Sequence, residues 1–264
     1  MKNRISKINL SLGMILLLLF IIAFQSASPI QTTIKTIITV DDEPGDADYT
    51  SIKEALNNSN TGDTIEVYSG TYKEDEISIL KTNLNLNGLP YELGPGNDTG
   101  KPIIDAIGSN DAFSIYGDNV IINGFQIKTE SNCGIVVYSN DTVLSLNTIE
   151  TTDGVCILIN GTQFGGKRNS IINNIFLNGN STNSYGIKLE KTMYNVIAEN
   201  DFLFKTNAYF VNSFKNTWAL NYWQQPRVIP KLIFGKFVII TEIFSATFPW
   251  FNIDLSPAQT PNNS

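Results

Sequence analysis

The chain has 264 residues, 18 Lys and Arg against 25 Asp and Glu, and no histidine, for a net charge of −7. Without imidazole it lacks the commonest acid–base catalyst and the commonest metal ligand. An acidic surface repels phosphate backbones, which excludes nucleic acid as a partner.

The first residues speak of location. Lys2, Arg4 and Lys7 form a basic start, Ile8 to Phe24 is almost wholly apolar, and small polar residues follow at 25–28. That order predicts a secretory signal over 1–28, or an N-terminal membrane anchor if it is not cleaved. Both readings export the rest, so membrane contact is expected only through this segment. Without the three basic residues the balance becomes 15 − 25 = −10. About 235 residues then remain, enough for one large domain. Sequons at Asn57, Asn97, Asn140, Asn160, Asn180 and Asn262 are glycan acceptors in an exported chain, and an Asn- and Thr-rich sequence also generates them by chance.

Residues 46–74 read as a cap. Ser51 and Glu54 form an S-x-x-E box before a short helix whose apolar face is Ile52, Ala55 and Leu56. "GDTIEVYSGTY" then predicts a first strand over Thr64 to Tyr68, ended by a Ser-Gly turn.

From there the chain repeats. "NLNLNGL" at Asn83 lies over "NVIINGF" at Asn119, and "NSIINNIF", "NVIAENDF" and "NTWALNYW" share the frame N-x-[IW]-x-x-N-x-[FW]. The anchors are Gly88, Gly124, Asn147, Asn174, Asn200 and Asn221, with steps of 36, 23, 27, 26 and 21. A second ladder of Ala112, Gly134, Gly154, Gly186 and Ala208 opens the short strands "AFSIY", "GIVVY", "GVCIL", "GIKLE" and "AYFVN". Alternation puts Phe113/Ile115, Ile135/Val137, Val155/Ile157, Ile187/Leu189 and Tyr209/Val211 on one face. It puts Ser114, Val136, Cys156, Lys188 and Phe210, then Tyr116, Tyr138, Leu158, Glu190 and Asn212, on the other. A double register at twenty-odd residues predicts a solenoid with a few short parallel strands per coil. The asparagines are read as its inward corners, tolerant of left-handed backbone, with Asn174 and Asn200 buried one coil apart. Asn180 and Asn183 belong to the adjoining loop.

The block from Thr39 to Glu74, the N-x-I-x-x-N coils and the late "NYW" resemble right-handed parallel β-helix repeat proteins of the pectin-lyase-like and NosD type, over roughly 36–225. The resemblance implies an all-β, right-handed parallel β-helix over 36–227, with its helical cap at 46–74 and an apolar C-terminal tail at 228–264. It leaves function open, because the family spans lyases, hydrolases, epimerases, adhesins and surface-layer proteins. A lyase of this type implies clustered carboxylates, calcium and a basic residue; a hydrolase implies facing aspartates. Here the acids of the coils are scattered and Arg168 and Arg227 fall off the strands.

The candidate residues are few. Lys188 and Glu190 alone could take part in acid–base chemistry, and a surface ion pair is the simpler reading. Tyr116 over Tyr138 suggests a flat aromatic platform for a sugar ring, although same-face aromatics also merely stabilise a sheet. Cys133 and Cys156 are expected to be free, three residues out of register and about 10 Å apart at roughly 3.3 Å per residue. No metal site is expected, and no cofactor except calcium in the lyase case. Residues 231–255, rich in aromatics, either plug the last coil or cover the outward apolar column. The leading expectation is an exported, non-catalytic β-helix at the cell surface that touches polysaccharide or other surface components. The alternatives are a carbohydrate-active enzyme and a NosD-like accessory to copper enzymes, the latter disfavoured by the missing histidines.

Overall fold

The computed structural model describes residues 35–263 except 107, 109, 131, 163–164, 179–183, 204–206 and 242–243. The segment 1–28, the sequon at Asn180 and the loop residue Asn183 lie outside these. No helix among the described residues is long and apolar enough to cross a membrane.

The chain is an all-β parallel solenoid with one short helix. Three stacks of short strands form its walls. Face A runs through Ile37–Val40, Thr64–Val67, Asn85–Gly88, Ile121–Asn123, Val143–Ser145, Ser170–Ile172, Val196–Ala198 and Thr217–Ala219. Face B runs from Thr71–Tyr72 through Ile103–Ala106, Gln126–Thr129, Thr148–Thr151, Ile175–Asn178 and Asp201–Phe202 to Tyr222–Trp223. Face C holds Ile77–Ile79, Phe113–Ile115, Cys133–Val137, Val155–Asn160, Tyr185–Glu190, Ala208–Val211 and, at its end, Lys231–Ile240.

Each face sends one column of apolar side chains inward, coil over coil. Face A contributes Ile65, Leu86, Ile122, Leu144, Ile171, Ile197 and Trp218, all in register and buried. Face B contributes Tyr72, Ile104, Ile127, Ile149, Phe176, Phe202 and Trp223, the last two rings stacked at 4.1 Å. Face C contributes two columns, Phe113–Ile135–Ile157–Ile187–Ala208 and Ile115–Val137–Ile159–Leu189–Phe210. Burying an Ile or Leu side chain is worth about 1.5–3 kcal/mol, and these columns repeat that gain in every coil.

Two columns differ from the sequence reading. Cys133 pairs with Val155, so Ile157 and Ile159, not Val155 and Ile157, continue the inward columns. Gly134 therefore faces Cys156 rather than Gly154, and a Cβ there would lie 2.5 Å from Ile149 Cγ2. At the last coil Ala208 and Phe210 point in, while Tyr209 and Val211 point out. The first is a slip of two residues, which keeps the strand's alternation, and the second a slip of one, which exchanges its faces; in both the inward demand for apolar volume decides against glycine spacing.

The corners obey a stricter rule than expected. From Asn147 onward, each asparagine accepts with Oδ1 from the backbone N–H one coil earlier. Phe125 N donates to Asn147 Oδ1, Asn147 N to Asn174, Asn174 N to Asn200 and Asn200 N to Asn221, at 3.0–3.1 Å. Each Nδ2 also donates to a carbonyl of the preceding coil, such as Leu144 O for Asn174 at 2.9 Å and Ile171 O for Asn200 at 2.8 Å. All four are fully buried. The left-handed backbone sits one residue earlier, at Gly124, Leu146, Asn173, Glu199 and Leu220, with φ of 55–82°. Gly124 thus stacks with Leu146, so the anchor step from Gly124 to Asn147 is one residue too long. Gly88 and Gly124 serve a different need: a Cβ on Gly88 would meet Gly124 O at 2.6 Å. A second ladder joins Thr142, Asn169, Asn195 and Asn216 on the other side of the face A strands.

Both ends are closed. Helix Ile52–Asn58 buries Ile52, Ala55 and Leu56; Ser51 Oγ accepts from Glu54 N at 3.3 Å, and Glu74 takes the N–H groups of Ile52 and Lys53. At the far end Lys231–Ile240 and Ser245–Asp254 form an antiparallel hairpin. One strand extends face C and the other meets face A, so the two stacks join into a single sheet. Asp254 stands where the next asparagine would be. Its Oδ2 accepts from Asn221 N, Asn221 Nδ2 and Trp223 Nε1, each at 3.1 Å.

Candidate functional site

The outer surface of face C gathers most of the candidate residues. Its two outward columns are Ser114–Val136–Leu158–Lys188–Tyr209 and Tyr116–Tyr138–Asn160–Glu190–Val211. Cys156 and Phe210, expected here, face the interior and are 0% and 1% exposed. The apolar outward patch that the C-terminal hairpin was to cover is therefore reduced to Val136 and Leu158.

Tyr116 and Tyr138 stand on adjacent coils with ring centroids 4.9 Å apart and planes 8° from parallel. Rings that close are stacked on one another and not laid side by side, so they do not make a joint flat platform. Each spends one π-face on its partner. Tyr116 is 49% exposed, and its ring walls a groove of about 300 Å³ lined by Ser78, Asn110, Asp111, Ser114 and Glu76. Those groups are hydroxyls, an amide and carboxylates. Burial, then Tyr116 beside it, pushes the Tyr138 hydroxyl above the usual phenol range.

Further along the same face, Lys188 Nζ and Glu190 Oε1 pair at 2.7 Å. They line a shallow cleft of about 540 Å³ with Lys191, Tyr209, Val211 and Lys236. Lys191, Tyr209 and Lys236 escaped the sequence reading, Tyr209 because its strand was read with faces exchanged and Lys236 because it comes from the hairpin.

The remaining candidates are dispersed. Both cysteines are free, with Cys156 beside Gly134 in register and Cys133 one place before it. Burial pushes both thiols up to about 12, which removes the thiolate needed for reaction at neutral pH. Arg168 chelates Asp141 at 2.6–2.7 Å on the exposed corner and holds that carboxyl below its usual range. Asn57 and Asn97 are exposed. Asn140 and Asn262 use their side chains in hydrogen bonds to Lys167 N and to Asp201, and Asn160 Oδ1 accepts from Thr162 N.

The fold and these surfaces define the chain as a parallel β-helix with an aromatic and polar outer face. No protein-family model matches it, and no curated protein does. Among solved structures it aligns with an alginate lyase from Paenibacillus sp. str. FPU-7, at 13% identity and a TM-score of 0.32, over 72% of this chain and 88% of that one. At that identity and TM-score, nothing about the surfaces of this chain is taken from that enzyme.

Proposed function

We propose that the chain is an exported, non-catalytic β-helix of the cell surface that binds polysaccharide on face C. The observation that supports this reading is the half-exposed ring of Tyr116 at the edge of a groove rich in hydroxyl, amide and carboxylate groups. Sugars offer an apolar C–H face and a rim of hydroxyls, so one aromatic wall with hydrogen-bonding groups beside it is complementary to them. The test is a glycan array followed by titration calorimetry of wild type and Tyr116→Ala. We expect a hit among neutral or acidic polysaccharides, weakened about two- to tenfold by the substitution, since one aromatic contact is worth about 0.5–1.5 kcal/mol. A blank array, or equal affinity for the variant, sinks the proposal.

One observation favours a second reading, a carbohydrate-active enzyme. The cleft at the far end of face C carries Lys188, Lys191 and Lys236 around Tyr209 on an otherwise acidic protein, a setting that suits an anionic sugar. Incubation with uronate polymers in the presence of calcium, watched for absorbance from unsaturated ends, separates the two: any turnover lost in Lys236→Ala selects the enzyme.

A further inference from the structure

Face A begins with Ile37–Val40, and the next three residues are Asp41, Asp42 and Glu43. Two coils on, the loop after Gly88 brings Glu92 and Asp98 against them. Carboxylate oxygens of Asp41, Asp42 and Glu43 lie within 4.8 Å of one another, and so do those of Glu43, Glu92 and Asp98.

Proximity of acids alone means little; the state of their oxygens means more. Asp41 is 0% exposed; its carboxylate oxygens receive no N–H donor and face the Glu92 carboxyl instead. Asp42 Oδ1, Glu43 Oε2 and Glu92 Oε1 are likewise buried and unpartnered. The other oxygens of two of these groups are held by backbone: Asp42 Oδ2 accepts from Thr71 N at 3.0 Å, and Glu92 Oε2 from Asp98 N at 2.9 Å. The chain thus anchors one oxygen of Asp42 and one of Glu92 and leaves the other of each unpaired in a cluster of two triads that share Glu43. The ion pairs among the described residues lie elsewhere, so no lysine or arginine compensates the charge.

Buried polar atoms almost always find a partner, and an unpaired buried carboxylate is among the costliest groups a protein can hold. Five such oxygens in two triads that share Glu43 are neutralised either by a proton shared between facing carboxyls or by a cation held among them. Oxygens that share one calcium at about 2.3–2.6 Å sit up to roughly 5 Å apart, which matches the spacing of both triads. Magnesium demands tighter octahedral geometry and keeps its waters.

We propose that Asp41, Asp42, Glu43 and Glu92, with Asp98 at the rim, bind a calcium ion that ties the entry of the solenoid to the loop after Gly88. The site is independent of face C and of the polysaccharide reading. It departs from the expectation of no metal, because the sequence shows only an acidic run of three; Glu92 and Asp98 lie some fifty residues on and reach it through the loop.

The experiment is thermal unfolding of the full chain, stripped with a chelator, with calcium or magnesium chloride added back. At a hundredfold excess over Kd, calcium should raise the midpoint by about 5–10 °C. Terbium provides a second readout, sensitised by Tyr68, whose N–H donates to Val40 O at 2.9 Å next to the site. Asp41→Asn and Glu92→Gln should each abolish the calcium shift and the terbium signal. Asp41→Asn should also melt higher than the stripped wild type, because it removes a buried repulsion; that gain separates loss of binding from loss of fold. No calcium shift in wild type, or a shift that survives Asp41→Asn, overturns the site. An equal shift with magnesium overturns its assignment to calcium.

Discussion

Leu146 and Leu220 are exposed leucines in left-handed backbone, with φ of 57° and 56°. A branched side chain there costs about 1–2 kcal/mol, and asparagine tolerates the conformation far better. The fully buried asparagines that follow them, Asn147 and Asn221, have ordinary backbone and hold the coils together instead. The two positions therefore respond oppositely to substitution. Leu146→Asn should raise stability by about 0.5–1 kcal/mol. Asn174→Leu takes the acceptor from Asn147 N–H and from one of the two N–H groups of its amide, whose other bond to Ile122 O survives, and removes a donor from Leu144 O; at about 1–3 kcal/mol for each buried group it should cost about 3 kcal/mol in all. Urea unfolding of the two variants checks both signs, and a neutral Asn174→Leu would refute the ladder. Which asparagine is buried was legible in the frame N-x-[IW]-x-x-N. That the strain falls on its neighbour was not, because the leucines at 146 and 220 and the glutamate at 199 carry no compositional mark.

At the scale of the strand and the hairpin, inward packing sets the register and loops absorb the difference. The cap at Ser51 and the strand after it were readable because capping and turn chemistry are local. The face C register at Gly154 and Ala208 was not, because it depends on which residues fill the interior opposite Ile135 and Ile187. The Tyr116–Tyr138 contact was foreseen from alternation, but the mutual stacking that denies a joint platform depends on ring orientation. The hairpin was visible only as aromatic composition. Its docking rests on Asp254, a buried carboxylate accepting three N–H donors at one oxygen and Ser256 N at the other. Asp254→Asn keeps an acceptor for the ladder and should cost less than about 1.5 kcal/mol. Asp254→Ala strands Asn221 and Trp223 and should cost about 3 kcal/mol or more. Limited proteolysis at the hairpin should follow the same order, with the alanine variant cut first; equal resistance would mean that the hairpin is held by its apolar contacts alone.

Over the whole molecule, contacts run between adjacent coils, so stability is close to a sum of coil and coil-to-coil contributions. The two ends are held differently, by a helix with an acidic cluster beside it at the start and by the merged hairpin sheet at the finish. Between them the hydrogen bonds of the asparagine ladder are the same at each step. That sameness bears on how the protein can change length. Excising residues 169–194, the 26-residue repeat that separates Asn169 from Asn195, would place Asn195 beneath Thr142, Asn200 beneath Asn147 and Ile197 beneath Leu144. The shortened chain should fold, with the same circular-dichroism shape and a smaller denaturant slope. Removing 23 residues from the same starting point leaves three extra residues at the corner before Asn195, and should give a less stable product than the 26-residue excision. Nothing in the interior counts the coils, so duplication or loss of one is a change that natural variation could make without redesigning either end.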